Sequence, residues 1–130
     1  MEEIKRFIVV DDDPTSNLLC EYILKRTFES IPITPFTLPE IALKTIIEEY
    51  SNATNATKTV LLLDINMPIM DGLEFLQVLR EEELQEIPVV ILSCSNNKRD
   101  IEQVAQYNVK YYLVKPLTEE KLAKMIQRCF

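Results

Sequence analysis

The sequence of 130 residues has no histidine, a single glycine (Gly72) and three cysteines, Cys20, Cys94 and Cys129. With no imidazole and three widely spaced thiols, neither a zinc nor a copper site is suggested, and the odd cysteine count suggests no disulfide framework. The thiols read as small core residues. One glycine cannot build the glycine-rich loops that cradle nucleotide phosphates, which excludes enzymes of that kind. Positive charge is scarce too: 14 basic residues against 21 acidic ones leave a net charge of −7. That is the wrong sign for releasing counterions from nucleic acid, and no direct contact with it is expected. No apolar run approaches the roughly 20 residues that span a bilayer, and the opening MEEIKR is charged, without a signal-peptide core. A cytoplasmic protein without membrane contact is the expectation.

What is present is the composition of a folded domain. Hydrophobic residues make up 47% and charged residues 27%, the balance of a globular chain. The length suits one domain over residues 1–130. Short apolar runs alternate with longer segments of helical period, the pattern of an α/β fold with a parallel sheet. The first strand is read at Arg6–Val10, and Asp13-Pro14 as cap and first residue of a helix whose buried stripe is Leu19, Tyr22 and Ile23. A second strand at Ile31–Phe36 carries Pro32 and Pro35, which remove amide donors and put it at the sheet edge. Thr37 with Glu40 resembles a capping box for a helix using Leu43, Ile46, Ile47 and Tyr50.

The polar run SNATNATK, with two sequons, reads as a loop. Val60–Leu63 is a continuous aliphatic run, as a central strand covered on both faces requires. A helix after Gly72 packs Leu73, Leu76 and Leu79. Pro88–Leu92 is the fourth strand, followed by a helix using Ile101, Val104 and Ala105. Tyr111–Val114 is the fifth, and Thr118 caps a last helix with Leu122, Met125, Ile126 and Cys129 inward. No residues remain for a second domain.

In open parallel sheets ligands bind beyond the carboxyl ends of the strands. Here the first strand ends in Asp11, Asp12 and Asp13, the third in Asp64, the fourth in Ser93 and the fifth in Lys115. Each has a plain explanation alone: a helix cap, a loop start, a solvated turn lysine. Together they crowd carboxylates that, at about 4 Å, would repel by roughly 4 kcal/mol per pair at an effective dielectric near 20. A cation is needed, and a hard divalent ion with oxygen ligands such as Mg²⁺ suits a set without imidazole or thiolate. Asp64, alone on the central strand, is placed to attack phosphorus as a nucleophile. Asp11 and Asp12 would hold the metal, Lys115 would neutralise phosphoryl oxygens and Ser93 would donate a hydroxyl.

The motifs FIVVDDDP, LLLDINMPIMDG, VVILSCS and YYLVKPL, in this order across the whole chain, resemble the receiver domains of two-component response regulators, the CheY-like superfamily. The resemblance implies a doubly wound five-stranded parallel sheet of order 2-1-3-4-5 with five helices on both faces. It implies that Asp64 accepts a phosphoryl group from a sensor histidine kinase or histidine phosphotransfer protein. Mg²⁺ would be held by Asp11, Asp12, Asp64 and the backbone carbonyl of Asn66. Lys115 matches the family's lysine, with a cis bond to Pro116. Phosphorylation would draw Ser93 inward and let the ring of Tyr112 follow. The fourth helix, fifth strand and fifth helix would then be read by an effector or a second copy. The chain would be a switch that assists its own phosphorylation and dephosphorylation. Asn108 stands where the family often has glycine, and asparagine tolerates a left-handed turn. Cys94, beside the site, is expected to serve packing. A phosphohydrolase of the haloacid dehalogenase type would need a second aspartate where Asn66 stands. A pseudo-receiver would have lost the acceptor, an acid or the lysine, and all are present.

Overall fold

Strands that are aliphatic at every position need cover on both faces, and the chain supplies helices for each. The computed structural model describes residues 4–50, 58–82, 84 and 86–130. The polar loop with its sequons, residues 51–57, lies outside them. The strands are β1 (Arg6–Val10), β2 (Ile33–Phe36), β3 (Thr59–Leu63), β4 (Val89–Ser93) and β5 (Val109–Val114). They form one parallel sheet of order β2-β1-β3-β4-β5, with β2, which carries Pro35 and follows Pro32, at an edge. The helices are α1 (Pro14–Thr27), α2 (Pro39–Tyr50), α3 (Gly72–Glu81), α4 (Lys98–Ala105) and α5 (Glu119–Cys129).

The two-residue period of a strand divides the core in two. Phe7, Val9, Val60, Leu62, Val90 and Leu92 face one way and pack with Cys20 and Leu24 of α1 and Leu122 and Met125 of α5. Ile8, Val10, Leu61, Leu63, Val89 and Ile91 face the other way, against α2, α3 and Val104 of α4. All of β3 and β4 is buried.

Helix faces depart from the sequence reading in two places. Helix α1 buries Asn17, Cys20 and Leu24, while Leu19 and Tyr22 are exposed and Ile23 is only partly covered. The helix carries two apolar stripes offset by a residue, and periodicity chose the outer one. In α4 only Val104 is buried; Ile101 and Ala105 lie outside, so this helix rests lightly on the sheet. A smaller shift occurs in α3, where Phe75 joins Leu76 and Leu79 in the core and Leu73 is half-buried.

Caps mostly follow the sequence. The Asp13 carboxylate accepts from Thr15 N at 3.0 Å and the Thr118 hydroxyl from Lys121 N at 3.1 Å. Helix α2, however, starts at Pro39, and the Leu38 carbonyl accepts from Ala42 N, which puts Leu38 and not Thr37 at its cap. Asn108 takes the left-handed conformation, with φ 59°, and the Lys115-Pro116 bond is cis.

Candidate functional site

Parallel register delivers the acids to one place. Val10 pairs with Leu63, so Asp11 and Asp64 leave the sheet side by side where strand order reverses between β1 and β3. Asp64 N donates to the Val10 carbonyl at 3.0 Å, and Asp11 N to the Phe36 carbonyl at 3.1 Å. On the other flank Ser93 pairs with Val114, and Lys115 N donates to the Ser93 carbonyl at 2.8 Å. Four strand ends thereby meet at one edge of the sheet.

Carboxylate oxygens of Asp11, Asp12 and Asp64 lie within 4.8 Å of one another. Asp11 and Asp64 are buried and Asp12 is exposed. Lys115 Nζ sits 2.5 Å from Asp11 Oδ2 and 3.4 Å from Asp64 Oδ2, the countercharge that the crowding demands. Asp13 N and Asn66 N each donate to the carboxylate two residues earlier, Asp11 at 3.0 Å and Asp64 at 3.1 Å, which fixes the rotamers of both acids.

Burial pushes the Asp64 carboxyl above its ordinary range, and the negative charge of Asp11 adds to this; the Asn66 amide and Lys115 oppose it without prevailing. Burial also works against a charged Lys115. The bond to Asp11 and the charges of Asp64 and Asp11 outweigh it, so the ammonium is held above its usual range.

The Ser93 hydroxyl, fully buried, accepts from Asn66 Nδ2 at 2.9 Å and from Ser95 N at 3.2 Å. The Tyr112 hydroxyl donates to the Ser95 carbonyl at 2.7 Å, and Ser95 Oγ donates to Asp100 in the first turn of α4 at 2.7 Å. A continuous polar chain therefore runs from the loop after Asp64 to α4 and β5. Every residue singled out from the sequence, Asp11, Asp12, Asp64, Asn66, Ser93, Tyr112 and Lys115, lies in this constellation.

Sequence reading passed over Asn17 and Asp100. Asn17 is a polar residue on the buried face of α1, and its side-chain amide donates to the carbonyls of Asp11 and Phe36, both at 3.1 Å. The signal was an asparagine three and seven residues before Cys20 and Leu24 on one helical face, readable once that face is known. Cys94 corrects an expectation: it is exposed, because β4 ends at Ser93 and the next residue lies beyond the sheet. Cys20 is a core thiol whose pKa burial raises to about 12.

The family model described as the response regulator receiver domain matches residues 7–127. The chain is 30% identical over 126 residues to the response regulator Rcp1 of Synechocystis sp., covering 95% of this chain and 84% of that protein. It is 30% identical over 122 residues to a probable C4-dicarboxylate response regulator of Halalkalibacterium halodurans, covering 93% and 49%. It spans 44% of a probable methanogenesis regulatory protein of Methanothrix harundinacea and 20% of a two-component response regulator of Oryza sativa. Among solved structures, a two component response regulator from Cytophaga hutchinsonii matches with TM-score 0.82 and 26% identity over 98% of both chains. The chemotaxis protein CheY4 of Vibrio cholerae matches in fold, with TM-score 0.79 and 22% identity over 98% and 99%.

Proposed function

The chain belongs to the response regulator receiver domain family of two-component signalling, and from that premise we propose that Asp64 is its phosphoacceptor and Mg²⁺ its cofactor. The observation that carries the reading is the convergence of Asp11, Asp12, Asp64, Ser93 and Lys115 at one end of the sheet. The donor set fits a hard cation: three carboxylates with oxygens within 4.8 Å, and a chain without histidine. Asp11, Asp12, Asp64 and the Asn66 carbonyl would hold Mg²⁺, which when bound supplies charge neutralisation for the transferring group.

The chain's own groups do the rest. Asp64 presents a carboxylate oxygen to phosphorus. The new P–O bond forms as the P–N bond of a donor phosphohistidine breaks, and the imidazole leaves with the bonding pair. Burial of Asp64 removes water that would compete. Lys115 lies within reach of both Asp11 and Asp64, so its ammonium can follow negative charge as it moves onto the acceptor. The Ser93 hydroxyl receives two hydrogen bonds, which leaves its own proton for a phosphoryl oxygen. A pull on Ser93 passes through Ser95 to Tyr112 and Asp100.

Helix α4 is the element that such a pull can move. It buries one residue, and an open cleft of about 160 Å³ lined by Ile101, Val104, Val109, Tyr111 and Tyr112 runs between it and β5. The α4–β5–α5 face is therefore the surface offered to an effector or a second copy. Sensor histidine kinases or histidine phosphotransfer proteins are the donors of this reading, and a cytoplasmic location goes with it. Among the described residues no helix is long and apolar enough to cross a membrane. The protein is a switch that assists its own phosphorylation and dephosphorylation.

Intact-mass spectrometry after incubation with Mg²⁺ and acetyl phosphate tests the assignment. An acid-labile phosphoryl adduct is expected on the wild type and not on Asp64→Ala. No adduct on the wild type, or an equal one on the variant, overturns it.

A further inference from the structure

We propose that Asn17 is a positioning residue for the acid pocket, fixing the angle between the Asp11 and Asp12 carboxylates that would receive Mg²⁺. The inference rests on the functional reading above and adds a residue to it. Asn17 is 4% exposed, on the inner face of α1. Its Nδ2 donates to the Asp11 carbonyl and to the Phe36 carbonyl, at 3.1 Å each. The Asp11 carbonyl belongs to the peptide that joins Asp11 to Asp12. Holding that plane sets the last backbone torsion of Asp11 and the first of Asp12, and so the directions in which the two side chains leave the chain.

The remaining contacts complete a clamp. Phe36, at the end of β2, also accepts from Asp11 N at 3.1 Å, so one carbonyl receives Asp11 and Asn17 together. Asp11 Oδ1 accepts from Asp13 N, while the Asp13 carbonyl accepts from Asn17 N at 3.1 Å. Asn17 therefore ties the first turn of α1, the end of β1 and the end of β2 to one peptide plane.

The amide oxygen argues that this role is selected for its donors. Asn17 Oδ1 is buried and has no hydrogen-bond partner among the described residues. A flipped amide would set that oxygen against two carbonyl oxygens, so the two carbonyls dictate the orientation. Leaving a buried acceptor unpaired costs stability, so the gain at this position lies in the two donors. What asparagine adds is two coplanar N–H donors.

Isothermal titration with Mg²⁺ alone, without phosphodonor, compares the wild type with Asn17→Ala and Asn17→Asp. Asn17→Ala should weaken Mg²⁺ binding about tenfold, as loss of a group that orients metal ligands does. At saturating Mg²⁺ its modification by acetyl phosphate should fall less than about threefold, since the reacting groups remain. Asn17→Asp, which turns an anion toward two carbonyls, should bind more weakly still. Unchanged Mg²⁺ affinity in folded Asn17→Ala overturns the proposal. Should both variants fail to fold, NMR of the wild type decides: the Asn17 side-chain amide protons must shift on Mg²⁺ addition, and fixed resonances overturn it. A wild type that binds Mg²⁺ while Asn17→Ala binds it equally well removes this inference alone; a wild type that binds none removes the reading beneath it.

Discussion

At the scale of single residues, Asp64 is a carboxylate kept at a cost. Burial and the charge of Asp11 raise its pKa above the ordinary range, so between the unfolded value, about 3.9, and the folded one, the native state binds the extra proton. Stability from this group is present in acid and is lost as pH rises through the folded pKa. In metal-free protein at neutral pH the ionised Asp64 is therefore a burden. Asp64→Asn should raise the melting temperature in EDTA at pH 7 by a few degrees, about 1 kcal/mol for a chain of this size, and the gain should shrink toward pH 4. A variant that melts lower than wild type at pH 7 would contradict the assignment of strain to this acid. Lys115 follows the same sign in a higher window: its raised pKa means that its contribution is complete at neutral pH and is lost only in strong alkali. Asp11, Asp64 and Lys115 were readable in the sequence, because each is the first residue after a strand. Asn17 was not, since a lone asparagine in a helix gives no sign of the carbonyls that it faces.

At the scale of elements, Gly72 explains how β3 and α3 are joined. No glycine here has positive φ, so conformational freedom is not the reason for it. Space is: a Cβ at Gly72 would lie 2.5 Å from Ile65 Cα and 2.7 Å from the Asp64 carbonyl oxygen. Gly72 N also donates to the Ile65 carbonyl at 3.1 Å. Helix propensity alone favours alanine by about 1 kcal/mol, but these contacts are backbone and cannot swing aside. Gly72→Ala should therefore destabilise the protein in urea unfolding by about 1–3 kcal/mol and slow Asp64 modification, because the displaced peptide is that of Asp64 itself. A stabilised variant with wild-type modification would refute the close-approach argument. The sequence announced the strands and the helix order because burial of β3 and β4 is complete and leaves no choice of face. It did not announce which side of α1 or α4 turns inward. Leu18, Leu19 and Tyr22 on α1 stay exposed while Cys20 and Leu24 pack, and only the position of the sheet distinguishes the two stripes.

At the scale of the whole molecule, two cores, one on each face of the sheet, hold a cluster of like charges at a single end. The net charge of −7 adds a diffuse repulsion to the local one. Lys115 offsets part of it, and a bound divalent cation would offset more, so folding and metal binding must be linked. Mg²⁺ that binds only the native site stabilises it by about 2.7 kcal/mol at a hundredfold excess over its dissociation constant. Urea unfolding with and without Mg²⁺ should show this increment as a shift of midpoint at constant slope. The increment should vanish in Asp12→Ala, whose carboxylate is exposed and whose loss spares the core. It should persist in Asp64→Asn only to the extent that Asp11 and Asp12 hold the ion without the third acid. Equal stabilisation of wild type and Asp12→Ala would mean that Mg²⁺ acts on the general acidity of the surface. In that case the cluster at the sheet end would not be its site.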